Sequence, residues 1–575
     1  MMTPTAIDKS STPIPTRPRR WGRYLILGIA ALACALFINA RVFNAPAIVG
    51  GCEYADIAVP PAGATMLVEP PEVRSQAGEL KRTLEVRYAD WVIGTCKVHL
   101  RTYDGNSTSM TWRVKPGDEL KITLKNSLPF GIPQAGAKMD HDMHESVNGT
   151  NLHTHGLHVS SEGISDNPLV NVQPGQSFDY DIRIPKNHPP GTHWYHPHLH
   201  GGTAVQQSSG MSGALIVEGG LDEVPEIKAA KERVLVLQQI TYDQTGQLED
   251  FDAAFGPGGW RASKRLTLIN GQIAPTIVMR PGEVQRWRIV QAGTRENVLL
   301  TLQGHALNEI AADGIALGRM VSWSRPLLLA PGYRSDVLVQ ASALAPGTSE
   351  NIYDLYDESA LAISTLQGQQ AGDTVFLTLG RLIGMQTIFG YFSPKPRQVL
   401  AHVVVSGDPV SMSLPKSESL SELAPYPQIL DAELTDTPQH VTFDVDFARC
   451  TPKGDCTPGC ILGIDGCKVA YMISGREFNH SHKRVLSVGK AAEWTLDAKI
   501  AIHPFHIHVN PFQTTRQEPD GMEHVIWKDT IQVRGNAPPI KLRMRYQDFT
   551  GTAVLHCHIL DHEDQGMMDL ISLER

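Results

Sequence analysis

The amino-acid sequence predicts an all-β protein of three consecutive, related sandwich domains. The chain has 575 residues, and at roughly 100–200 residues per domain that length suits three domains. Fifty glycines and 39 prolines mark many turns, and so many short strands. The third observation is an internal repeat.

In the first copy Asp104-Gly105 precedes Lys115-Pro116-Gly117-Asp118, after which Leu120, Ile122 and Leu124 alternate. In the second, Asn270-Gly271 precedes Arg280-Pro281-Gly282-Glu283, followed by Val284, Arg286 and Arg288 with Trp287 and Ile289 between. In the third, Ser474-Gly475 precedes Val488-Gly489, then Trp494 and Leu496. Each copy is a turn followed by a strand-period run, and three separated copies suggest three β-sandwiches. The charged stretch Gly219–Lys231 and the Ser/Pro-rich stretch Ser406–Pro427 read as linkers. The expected domains are therefore 76–220, 231–400 and 401–575, with residues 48–75 as an extended arm and 1–47 as a targeting segment.

That first segment carries Arg17, Arg19, Arg20 and Arg23 before the uncharged apolar run Tyr24–Ile38. The run is short for a membrane span of ~20 residues and fits a secretory signal, with Ala45-Pro46-Ala47 as a cleavage site. An uncleaved anchor is the competing reading. Ala31-Leu32-Ala33 before Cys34 is a poor lipobox. All of these readings put the bulk of the chain outside the cytoplasm, periplasmic or extracellular, with the anchor as the only membrane contact. A formal charge of −9 gives no footprint for nucleic acid.

Of eight cysteines, Cys34 lies in the apolar run and Cys557 sits between two histidines. Cys52, Cys96, Cys450, Cys456, Cys460 and Cys467 remain, an even number that suggests disulfides in an exported chain. The last four lie close together, so a small zinc site competes with that reading.

Histidines cluster in His153-Thr154-His155, His196-Pro197-His198, His503-Pro504-Phe505-His506-Ile507-His508 and His556-Cys557-His558, the last followed by His562 and Met567. The first two clusters lie in the first repeat and the last two in the third. On a strand, side chains at i and i+2 share a face, so each H-x-H pair offers two imidazoles to adjacent metal ions. Imidazole alone does not name the metal. Cys557 narrows the choice, because alternation points it away from His556 and His558 and so into a second site. One thiolate, two imidazoles and a weak methionine form the blue-copper set, and His503, Cys557, His562 and Met567 provide it. His144, His158, His188, His193 and His200 fall outside the pairs, and outer or surface roles are expected for them.

These four segments resemble the copper signatures of the multicopper oxidase family, which includes laccases, ascorbate oxidases and bacterial cuprous oxidases. The resemblance spans roughly residues 80–575. It implies three cupredoxin-like Greek-key domains and four copper ions. His153 and His506 would hold the type 2 ion. His155, His196, His198, His508, His556 and His558 would hold the binuclear type 3 pair. His503, Cys557, His562 and Met567 would hold type 1, at a lower potential than in members with Leu or Phe at the methionine position. The implied activity is one-electron oxidation of a small-molecule or metal-ion reductant (a phenol, an aromatic amine, Fe(II) or Cu(I)) coupled to reduction of dioxygen to water. Asp166 is the expected proton donor, with Glu162 and Glu563 as alternatives, while Asp166 capping the Asn167-Pro168 turn is the plainer reading. Met139-Asp140-His141-Asp142-Met143-His144 is either a soft copper segment or a solvated loop.

Three other functions fit less well. A copper nitrite reductase needs no type 3 pair, an electron carrier needs only type 1, and a copper-binding or structural relative without oxidase activity would have lost ligands that are all present here.

Overall fold

The computed structural model describes residues 58–130, 147–255, 266–359, 397–450 and 467–575. The basic and apolar N-terminal segment, Met139–His144, Cys456 and Cys460 lie outside the described residues. Six sheets, paired two by two, form the described part. In the first unit a four-stranded sheet built on Glu79–Ile93 and Glu119–Asn126 faces a five-stranded sheet that ends in Gly191–His196 and His153–His155. The second and third units each pair a six-stranded with a five-stranded sheet. The fold class is the all-β, three-domain, cupredoxin-like one that the sequence predicts.

The internal repeat is a repeat of backbone geometry. Both central residues have positive φ in Asp104-Gly105 (56° and 82°), Asn270-Gly271 (52° and 74°) and Ser474-Gly475 (50° and 78°). Such a pair suits a type I′ turn, where Asn and Asp tolerate the left-handed region and Gly adopts it freely. Each turn is closed by a backbone bond: Asn106 N–H to Tyr103 O, Gln272 N–H to Ile269 O, and Arg476 N–H to Ile473 O, at 3.1, 2.9 and 3.1 Å. In every unit the first long strand pairs in parallel with the strand after the next turn: Glu79–Ile93 with Glu119–Asn126, Lys231–Gln239 with Val284–Gln291, and Gln439–Cys450 with Ala491–Ala498. Parallel neighbours cannot be joined by a tight hairpin, so this pairing carries the chain from one sheet to the other and back.

Alternation sends Leu120, Ile122 and Leu124 into the first core, with Leu84, Trp112 and Tyr195. Trp287 and Ile289 enter the second, and Trp494 and Leu496 the third. The polar face of Val284–Gln291 is buried as well. Arg286 and Arg288 point at the seam with the first unit, where Asp336 accepts from Arg286 Nη2 at 2.6 Å and from Arg288 Nη1 at 3.2 Å. Thr192 of the first unit donates to Asp336 at 2.5 Å, and Glu232 accepts from Arg288 Nε at 2.6 Å.

The Gly219–Lys231 stretch is more ordered than a bare linker. It forms a 3-10 turn, Gly220–Glu223, and a short helix, Pro225–Ala229. Asp222 accepts from Arg286 and Arg288 at 2.5 and 2.6 Å. Ser406–Pro427 contains a second 3-10 segment, Ser417–Leu423, that buries Leu420. The arm residues Glu72–Arg74 add a parallel strand beside Thr111–Arg113. Among the described residues no helix is long and apolar enough to cross a membrane.

Removing one partner of a buried ion pair strands the other charge in low dielectric, at a cost of about 3–5 kcal/mol. Asp336→Ala removes the one fully buried carboxylate that two guanidinium groups share, leaving them Asp222 and Glu232. It should lower the stability to chemical denaturant by about the lower end of that range, whereas the exposed pair variant Lys228→Ala should leave it nearly unchanged. Equal effects of the two variants would show that the seam network is not a stabilising element.

Candidate metal centre

The seam between the first and third units gathers all four H-x-H pairs. Within each pair the imidazole centroids are 5.7, 5.8, 5.2 and 5.5 Å apart, for 153/155, 196/198, 506/508 and 556/558. Strand Gly191–His196 stops at Pro197, which has no N–H to continue the ladder, and His198 follows just beyond it. His198 is held instead by its own N–H, which donates to Asn151 Oδ1 at 2.6 Å.

Across the seam the rings stack in mixed pairs. His153 lies on His508 and His155 on His506, each with centroids 3.8 Å apart. His198 Nε2 meets His556 Nε2 at 3.0 Å. Ring nitrogens of His198, His508 and His556 lie within 4.8 Å of one another, as do those of His153, His506 and His508. His155, His196 and His558 form a further trio, with centroids 4.9 to 5.8 Å apart.

Strand Gly551–Cys557 divides two sites. His556 and His558 face the seam, while Cys557 turns into the third unit's core beside Phe505 and Met567. There its Sγ lies 3.5 Å from His503 Nδ1 and 3.8 Å from His562 Nδ1. The Ile559 N–H donates to the sulfur at 3.4 Å. His503 Nε2 donates to Ile500 O at 3.1 Å, which leaves Nδ1 as the face turned to the sulfur. Met567 is fully buried, and its N–H and C=O bond to His562 O and Cys557 N. Its neighbour Met568 packs with Val554, Leu570 and Phe478 in a separate cluster. Phe443 stacks on His503 and Tyr471 on His562, with centroids 5.2 and 4.3 Å apart.

The carboxylates named from sequence fall in different places. Asp166 accepts from His153 Nδ1 through both oxygens, at 3.1 and 3.0 Å, and from the Thr154 N–H at 3.0 Å. Glu563 lies in the short helix Leu560–Asp564, fully buried, 3.5 Å from His198 Nδ1 and 3.5 Å from His556 Nδ1. Glu162 is exposed. Cys450 and Cys467 are register partners across their two strands.

Sequence reading missed three groups that hold this site. Asp564 accepts the Gly201, Thr203 and Ala204 N–H groups and so ties the third unit to the first. Asp529 accepts from His506 Nδ1 through its backbone oxygen at 2.9 Å. Arg295 of the middle unit pairs with Asp561, beside His562, at 3.1 Å. No spacing rule links these residues to the histidines, because distant strands bring them. His158, outside the pairs, bonds Val509 O and Asp548, both at 2.8 Å.

The donor set fits metal ions. Nε2 of His153, His155, His196 and His506, and both ring nitrogens of His508 and His558, are buried with no protein partner, a costly condition for polar atoms that nothing satisfies. Burial also keeps the rings neutral, the form that binds metal. It pushes His155, His196, His198, His506, His508, His556 and His562 well below the usual histidine range, His503 down to about 4 and His558 to about 3. Burial raises the Cys557 thiol, so only a cation at the sulfur would make it a thiolate at neutral pH.

Comparison with known proteins agrees with this geometry. Three family models, each described as multicopper oxidase, match residues 85–221, 231–348 and 457–571. The multicopper oxidase mco of Staphylococcus aureus is 23% identical over 498 residues, covering 82% of this chain and 83% of that protein. Laccase-1 of Melanocarpus albomyces is 22% identical and covers 82% and 74%. Among solved structures, a multicopper oxidase from Campylobacter jejuni described as a metallo-oxidase superposes with a TM-score of 0.65 at 22% identity, covering 92% and 99%. A laccase-like CueO from Ochrobactrum sp. gives 0.60 at 22%, covering 88% and 100%. Three sandwich units with a histidine seam and a cysteine site define a copper-dependent oxidase. The chain belongs to the multicopper oxidase family. It is an oxidoreductase that takes electrons from a reducing substrate and passes them to dioxygen.

Copper-free protein should lose thermal stability on acidification. Unfolded histidine titrates near 6.5, whereas in the folded chain His503 titrates near 4 and His558 near 3, and burial holds the other cluster rings well below the usual range. Below about 6.5 the unfolded chain binds protons that the folded chain does not, so stability present above that pH drains as pH falls. Asp561 and Asp564, raised by burial to about 6 and about 7, and Glu563 and Asp529, also raised by burial, act in the opposite sense as pH falls. The histidines outnumber them and set the net sign. Copper cannot flatten this fall, because the folded rings are already unprotonated in that window; holding Cys557 as a thiolate adds one more proton taken up on unfolding, so the loaded form should lose melting temperature at least as steeply between about pH 7 and pH 5. A melting temperature of the copper-free form that does not fall over this range would show that the histidine seam does not control the response.

Proposed function

We propose that the chain binds four copper ions and oxidises phenols, aromatic amines or Cu(I) while reducing dioxygen to water. His503, Cys557 and His562, with Met567 as a weak fourth donor, would hold the type 1 ion. His153 and His506 would hold type 2. His155, His196 and His558 would hold one ion of the type 3 pair, and His198, His508 and His556 the other. Copper in these sets would supply the one-electron chemistry that couples a reductant to dioxygen.

The single observation that carries this reading is the opposed facing of Cys557 and its two neighbours. One strand links the two ligand sets covalently, and a separate electron carrier or a lone metal site would have no use for that link. His503 and His562 are fully buried, so a reductant would pass its electrons through protein, with Phe443 and Tyr471 the rings stacked on the two histidines.

The two carboxylates divide the remaining work. Asp166 orients His153 and keeps its Nε2 turned inward. Glu563 holds the proton. Burial, and next the Asp564 charge, push its carboxyl well above the usual range, and its two oxygens face His198 and His556, each 3.5 Å from an Nδ1. A carboxylic acid beside two cluster histidines is within reach of the oxygen chemistry, directly or through one water. Export to an oxidising compartment, periplasmic or extracellular, is part of the reading; the basic N-terminal segment and the disulfide-bonded state of Cys96 support it.

The test begins with copper analysis and oxygen uptake. Wild-type protein should hold about four copper ions per chain, the family complement, and take up oxygen with both Cu(I) and a dimethoxyphenol. Cys557→Ser should lose the intense blue band and uptake with either reductant. A surviving blue band would overturn the type 1 assignment.

A second pair of variants separates the carboxylates. Glu563→Gln should keep its copper and lose about a hundredfold or more in turnover, the size of a general-acid contribution. Asp166→Asn should weaken cluster copper by about ten- to a hundredfold, as loss of a ligand-orienting partner does. The reverse pattern would assign the proton to Asp166.

A further inference from the structure

The middle unit contributes none of the proposed copper ligands, yet one of its side chains reaches them. Arg334 opens strand Arg334–Gln340 and is fully buried where the three units meet. Its Nη1 donates to Gly332 O at 2.9 Å and to Asp529 Oδ1 at 2.8 Å. Its Nη2 donates to Asp529 Oδ2 and, at 2.9 Å, to Asp313 O. Nε reaches Thr192 O of the first unit at 3.3 Å. The guanidinium thus grips the Asp529 carboxylate with both arms, the geometry in which arginine is strongest and most directional.

That carboxylate lies under the outer edges of two stacked imidazoles. Asp529 Oδ1 is 3.6 Å from His506 Nδ1 and 3.9 Å from His155 Nδ1. Arg334 Nη1 is itself 3.2 Å from His155 Nδ1. Nη1 is thus shared among Gly332 O, Asp529 and the outer edge of His155, and the carboxylate faces that edge from just beyond hydrogen-bond distance. The middle unit closes in further along the same wall. Asp313 accepts the Thr530 N–H at 3.2 Å and the Lys528 ammonium at 3.0 Å. A Cβ at Gly332, whose φ is +86°, would lie 2.9 Å from the His558 ring.

We propose that Arg334 is a positioning residue of the histidine seam: it fixes Asp529 so that its carboxylate faces the His155 edge while its backbone oxygen holds His506, which keeps the two rings stacked with their Nε2 atoms turned inward. The inference rests on the copper assignment proposed above. The unit without ligands thereby sets the spacing between a ligand strand of the first unit and one of the third. Groups that orient a ligating histidine change metal affinity or activity by about ten- to a hundredfold, and lysine, with one point charge in place of a planar fork, cannot reproduce the grip.

The test titrates a copper chelator against copper-loaded Arg334→Lys and wild type, following the blue band and the type 2 electron paramagnetic resonance signal separately. Wild type lacking cluster copper would sink the copper assignment itself, and this inference with it. With wild type loaded, Arg334→Lys should keep its blue band, since that site faces the other side of the strand, and give up cluster copper at about ten- to a hundredfold less chelator. An unchanged chelator midpoint and an unchanged type 2 signal would overturn the proposal. So would parallel loss of both signals, which reports general destabilisation. Should Arg334→Lys not fold, the double variant Arg334→Met with Asp529→Asn removes both buried charges together and takes its place. A folded double variant with the blue band and weakened cluster copper supports the proposal. Cluster copper at wild-type affinity overturns it, and so does a double variant that cannot fold, which assigns the pair to folding alone.

Discussion

Buried imidazole nitrogens that no protein group satisfies are the constraint on which the rest of this structure depends. A buried polar atom without a partner is normally eliminated or bonded, at about 1–3 kcal/mol each. Here such atoms are concentrated on one seam. Most of these rings are held from the other nitrogen or by stacking, so that the unsatisfied edge points inward: His153 by Asp166, His506 by the Asp529 backbone, and His196 by Pro197 O. The cores on either side supply the rigidity that stops these rings from turning to find partners.

The fold was legible because its signals are local. A turn with two positive φ angles needs Asn, Asp, Ser or Gly at fixed places, and the repeats at 104, 270 and 474 display them. A strand's period of two places His556 and His558 on one side and Cys557 on the other from sequence alone. The geometry of the seam was legible for the same reason, since each H-x-H pair is a local pattern.

What escaped sequence reading was brought by distant parts of the chain. Arg334 lies 179 residues from His155, and Asp564 lies 363 from Gly201. Neither stands in a spacing that marks it. The polar alternation of Arg286 and Arg288 reads as a solvated face, yet the face is buried because another unit lies on it. Sequence reading put Asp166 first among the carboxylates, ahead of Glu162 and Glu563, because nothing local shows that Asp166 is committed to His153 and Thr154 while Glu563 faces His198 and His556. The stretch between the first two units looked like a linker because it lacks an apolar period, but Leu221, Val224 and Ile227 pack into a small core there and Asp222 is shared by two arginines.

The mixed stacking of His153 on His508 and His155 on His506 has a consequence for how the protein comes into being. Each half of the seam is made by a different end of the chain, and synthesis separates the two ends by about 350 residues. At about 5–20 residues per second, the first unit's histidines exist for tens of seconds before their stacking partners do. During that interval two H-x-H pairs stand as an incomplete chelate, able to capture stray metal with no second half to enforce geometry. An order of events in which the chain is finished and closed before metal is offered avoids that trap. The seam therefore works as a molecular proof of completion, because the full ligand set exists only in a chain that has been made and folded to its last strand.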